Sequence, residues 1–107
     1  MPEEAIIVLS TCPDADTARR IGRSLVEEKL AACVNILPPM ESIYRWKGVV
    51  ESASEVLLII KSTHWKYQLI EARILELHPY EVPEIISVRA DSGHVPYLRW
   101  IEESING

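Results

Sequence analysis

Two long extended segments meet at Lys47-Gly48, and they constrain this chain more than any other feature of its sequence. AACVNIL reads as a strand, Pro38-Pro39 interrupts it, and SIYRW resumes it. After the Lys-Gly turn, VVESASEVLLIIKS returns alongside, so the pattern is a β-hairpin. Each arm runs to about 14 residues, more than twice the usual strand of about 5–6. Proline cannot donate to a ladder, so the double proline suits an edge or a bulge. A ribbon of this length outruns the helices that would cover it, and an exposed edge invites association. Tyr44 and Trp46 stand near its tip, and aromatic side chains are enriched in interface cores. The expectation is a homo-oligomer whose hairpins pair between subunits. The alternative is a ribbon curled back on itself with its aromatics folded in.

The segments around the hairpin alternate between strand and helix. AIIVLSTC (5–12) is apolar and β-branched, the pattern of a buried strand. Asp14 is placed to cap a helix in which Ala18, Ile21 and Leu25 recur at three and four residues, ending near Lys29. A second helix is expected from about Thr63, with Tyr67, Ile70, Ile74 and Leu77 as its apolar stripe. Pro79 stops it and pushes His78 toward extended geometry. EIISVRA is a fourth strand. Pro96 opens a last helix striped by Leu98, Ile101 and Ile105. The order β-α-β-β-α-β with an added helix implies an α+β fold, the ferredoxin-like split β-α-β sandwich. Its antiparallel sheet would run fourth-first-third-second, with two helices on one face, as one domain over residues 1–107.

The 107 residues suit one domain with a modest core, which oligomerisation would help. The net charge is −5 and the eleven Lys and Arg residues form no stripe, which argues against nucleic acid. The RNA-binding variant of this fold stacks bases on central-strand aromatics, but AIIVL and VLLII are aliphatic. Neither run approaches the roughly 20 apolar residues of a membrane helix. The acidic start of the sequence lacks the positive charge of a secretory signal, so a cytoplasmic location is expected.

The topology puts the end of the first strand beside the start of the fourth, so Cys12 and His78 should be neighbours. Cys33 belongs at the opposite end, too far for a disulfide, which needs Cα atoms within about 7 Å. Thiolate and imidazole together suit zinc or copper, and Asp14, Glu81 and Glu84 could add oxygen ligands. No CxxC or HxxxH supports a closed zinc site. The competing reading makes His78 a helix C-cap and Cys12 a small buried hydrophobe. Cys33 reads as buried, and His64 and His94 as solvated. Lys61 ends a very apolar run; it either snorkels to water or meets Glu55, on the same strand face by period two.

KLAACVNI (29–36), YRWKG (44–48), Glu55 within ESASEVLLIIK, HPYEVPEI (78–85) and YLRWI (97–101) together resemble the CutA family of divalent-cation tolerance proteins. The resemblance spans essentially the whole chain. It implies a ferredoxin-like protomer in a compact homotrimer, similar in assembly to the PII signalling proteins, and a cytoplasmic role in tolerance of copper and other divalent cations. The copper site proposed for some bacterial members uses a cysteine in the first strand and two adjacent histidines before HPY. Here Ser10 and Leu77 replace the cysteine and the first histidine, His78 matches, and Cys12 lies two residues further along the same strand face. The resemblance also implies an intersubunit cleft near Tyr44, Trp46, Lys61, Tyr80 and Glu84.

The expected function is therefore a non-enzymatic trimer that contacts Cu(II), Zn(II) or other divalent ions through His78, Cys12 and nearby oxygens. The alternatives are an enzyme using Lys61, Tyr44 and Glu84 in the cleft, and a rigid scaffold for protein partners. No catalytic motif such as GxSxG or a glycine-rich phosphate loop is present.

Overall fold

A computed structural model describes residues 4–106. Strand β1 (Ala5–Cys12) leads to helix α1 (Ala15–Glu27), capped where the Thr17 N–H donates to Asp14 Oδ1 at 2.7 Å. Lys29, at φ 60°, reverses the chain after α1. The first hairpin arm splits into β2 (Cys33–Ile36) and β3 (Met40–Trp46), because Pro38 and Pro39 break the ladder between them. Lys47 (φ 50°) and Gly48 (φ 81°) both take positive φ, the signature of a tight primed turn. Strand β4 (Val49–Thr63) then runs for 15 residues. A 3₁₀ turn over His64–Lys66 precedes α2 (Tyr67–Leu77), so the second helix proper begins later than its periodicity suggests. Strand β5 (Ile86–Arg89) and helix α3 (Val95–Ile105) complete the fold.

The strands pair antiparallel in the order β2-β4-β1-β5, and β3 pairs with the outer half of β4. With β2 and β3 counted as one broken strand, this is the expected fourth-first-third-second order of a ferredoxin-like α+β sandwich.

Period two gives β4 two distinct faces. Val56, Leu58 and Ile60 join Ile6 and Val8 of β1 in the core beneath α1 and α2, which contribute Ala18, Ile21, Leu25, Ile70 and Ile74. Glu51, Glu55, Leu57 and Lys61 therefore look the other way. Helix α3 packs on β4 and β1 from that side, with Ile101 and Ile105 buried. It reaches only the Lys61 end. The β3–β4 ribbon pairs along the outer half of β4, and the molecule is elongated, 46 Å on its long axis.

Candidate functional site

Where α3 stops short, the second face of the sheet stays open. A cleft of about 720 Å³ lies there, within the range of small-molecule sites. The ribbon forms one wall: Met40, Ser42, Tyr44 and Trp46 alternate onto the same side of β3, opposite Glu55, Ala53, Glu51 and Val49. The segment after α2 supplies the other wall through Tyr80, Glu81, Val82 and Glu84. That segment leaves the helix because Pro79 forces it. His78 is extended (φ −84°, ψ 134°), and its N–H closes α2 on the Ile74 carbonyl at 2.8 Å.

The His78 ring fastens this wall to the sheet. Its Nδ1 accepts the Tyr80 N–H at 3.1 Å, and its Nε2 lies 2.7 Å from the Thr11 carbonyl oxygen. A carbonyl can only accept, so Nε2 carries the proton and both ring nitrogens are engaged. The Tyr80 ring packs against the imidazole, with centroids 4.7 Å apart. From there the Tyr80 hydroxyl donates to Glu55 Oε2 at 2.8 Å. Burial, then the Glu55 carboxylate, push the Tyr80 phenol far above its usual range, so it remains a donor. Glu55 is only 8% exposed. Neither a cationic side chain nor a donor to Oε1 meets it among the described residues.

The structure thus brings Tyr44, Trp46, Tyr80 and Glu84 together around one cleft. It does not bring Lys61 there. Six residues along β4 separate Lys61 from Glu55, roughly 20 Å of strand, and α3 stands at that end. The Lys61 ammonium sits 5.9 Å from the Tyr97 ring centroid instead. His78 lies behind the cleft wall. Cys12 ends β1 next to the Thr11 that His78 holds, and its thiol is fully buried. Burial chiefly, with the negative charges of Asp14 and Glu55, raises the thiol to about 11. An engaged imidazole and a buried, protonated thiol do not fit a resident metal ion as they stand. Among the described residues no group of three or more His, Cys, Asp and Glu is gathered to hold one. Glu55 and Glu51 belong to the cleft although the sequence marks them weakly. Their period-two spacing on β4 was the available signal, and it pointed as readily to Lys61.

The CutA1 divalent ion tolerance protein family matches residues 6–104. A divalent-cation tolerance protein CutA from Thermus thermophilus is 46% identical over 92% of this chain and 95% of its own. The human protein CutA is 40% identical over 96% of this chain, which spans 58% of the human protein's length. The solved structure of the Thermus divalent cation tolerance protein superposes with a TM-score of 0.92 at 45% identity, covering 94% of this chain and 97% of that one. With the family match running over residues 6–104 and relatives of this identity and coverage, this chain belongs to the CutA1 divalent ion tolerance family.

Proposed function

We propose that the protein serves divalent-cation tolerance as a cytoplasmic homotrimer that holds ions such as Cu(II) or Zn(II) weakly in the cleft, by binding rather than catalysis. The observation that carries this reading is Glu55: a carboxylate more than nine-tenths buried, facing a cleft, with no countercharge among the described residues. Such a charge is costly unless a cation meets it. Glu51, Glu81 and Glu84 line the same cleft, and among the described residues no Lys, Arg or His does. One or two carboxylates can hold a largely hydrated divalent ion without a closed ligand cage. The enzyme alternative needed Lys61 beside Tyr44 and Glu84, and its position over Tyr97 favours binding. Exposed Ile43, Val49 and Val50 on the β3–β4 ribbon support self-association. The unpaired Cys12 and Cys33 suit a reducing compartment.

Isothermal titration with Cu(II) and Zn(II) tests the site. Wild type should give weak saturable heats, Glu55→Gln should lose most of them, and His78→Ala, which loosens the Tyr80 wall but leaves the carboxylate, should lose less than Glu55→Gln. Heats lost in His78→Ala but kept in Glu55→Gln would move the ion to the imidazole. Negligible heats in all three proteins would remove the metal role.

A further inference from the structure

The walls of the cleft carry information beyond its charge. Tyr44, Trp46 and Tyr80 line it together with the four glutamates, and Met40, Leu57 and Val82 add apolar surface. A hydrated metal ion gains little from such surface. An ammonium or guanidinium group with a hydrocarbon body gains from all of it, because aromatic faces attract cations and apolar walls take up the body. The chain itself shows one such contact on the ribbon: the Lys47 ammonium lies 5.6 Å from the Trp46 ring centroid. The volume, about 720 Å³, is ample for a small organic molecule and far exceeds what one ion fills.

We infer that the cleft is a site for an organic cation, its ammonium or guanidinium group directed to the unpartnered Oε1 of Glu55 and its apolar portion held between the ring of Trp46 and those of Tyr44 and Tyr80. The inference rests on the reading of this cleft as a cation site and names the class of cation that fills it. Glu55 is the anchor because it is the buried carboxylate of the four; Glu51, Glu81 and Glu84 are exposed and act by attracting positive charge toward the opening. Tyr80 spends its hydroxyl on Oε2, which holds the carboxylate still and leaves Oε1 for the ligand. His78, through its bonds to Thr11 and Tyr80, fixes the wall on which Tyr80 stands.

The test uses benzyltrimethylammonium and its uncharged isostere neopentylbenzene as probes, read by indole ¹⁵N–¹H shifts of the full chain. There are three tryptophans, and Trp46→Leu assigns the relevant signal. The charged probe should move the Trp46 signal saturably, and the neutral one should bind at least about tenfold more weakly. Trp46→Leu and Glu55→Gln, each checked for an unchanged fold by circular dichroism, should both weaken the charged probe by about tenfold or more, as seen by calorimetry. Equal binding of both probes, or binding indifferent to Trp46 and Glu55, overturns the inference. Saturable Zn(II) or Cu(II) binding that depends on Glu55, with no response to the organic cation, overturns it while leaving the cation reading intact. Failure of both metal and organic probes removes the two together, as does a cleft closed by a sister chain that opens to the probe only on dissociation.

Discussion

Ser10 is a hydroxyl in the wrong company. It is fully buried on the helix-covered face of β1, paired in register with Leu58, and its Oγ has no hydrogen-bond partner among the described residues. A buried hydroxyl left unsatisfied costs about 1–3 kcal/mol. Ser10→Ala removes the polar atom and opens almost no space, so it should raise stability by about 1 kcal/mol. Urea denaturation should show a higher midpoint at an unchanged slope. Two residues along, Cys12 is the buried small hydrophobe that the sequence allowed for. Its thiol stays protonated up to about 11, whereas in the unfolded chain it ionises near 9.0. The unfolded state therefore loses a proton that the folded state keeps throughout that window. The contribution of Cys12 to stability is complete below pH 9 and declines as pH rises toward 11. Melting curves at pH 8 and 10.5 should show this decline, and Cys12→Ala should reduce it. At pH 8 a thiol reagent should modify the half-buried Cys33 and spare Cys12 until the chain is unfolded.

At the scale of elements, the hairpin turn offers the cleanest test of why the chain folds as it does. Gly48 sits at φ 81° with nothing within 4 Å of where a Cβ would project. Any cost of Gly48→Ala is thus backbone strain alone, about 1–2 kcal/mol for an L-residue held in that region, with no crowding added. A loss near that size in thermal or urea unfolding is expected; no loss would mean that the ribbon's register is set by its strands and not by its turn. This turn, the Asp14 cap, the Pro79 stop and the Pro38-Pro39 break were all legible, because each depends on chemistry within a few residues. The sheet order followed from them through connection rules alone. The cleft was only half legible. Tyr44 and Trp46 announced themselves by lying on a ribbon too long to be covered, whereas Tyr80 and Glu84 were placed at the cleft only by the family resemblance. The reach of α3 was not readable from its own stripe, and that reach decides that Lys61 is capped by Tyr97 while Glu55, on the same strand face, lines the cleft. Nor did local spacing announce the bond from Tyr80 to Glu55, which spans 25 residues of sequence.

For the whole molecule, the question is what the ribbon does with its outer surface. On the ribbon, Ile43, which also borders the cleft, is 70% exposed and Val50 62%. Strand β5, at the far edge of the sheet, also leaves Ile86 and Val88 exposed. A 12.2 kDa chain has a small core of its own, and an apolar ribbon beyond it is unstable against association. The proposed homotrimer resolves both conditions at once, since sister chains would pair with the ribbon edge and cover its apolar face. Sedimentation equilibrium at micromolar concentration should give three times the mass of the chain. Ile43→Asp combined with Val50→Asp places two charges on the ribbon face without touching the buried core, so the assembly should weaken by orders of magnitude in dissociation constant while β1, α1 and α2 remain packed. If the double variant kept the trimer mass at the lowest measurable concentration, the ribbon's outer face would not be the interface, and the exposed apolar residues of the sheet edge at β5 would be the next to test. If wild type itself ran as a single chain, the ribbon would have to be stable alone, and the cleft between it and the 80–84 segment would be a site within one subunit.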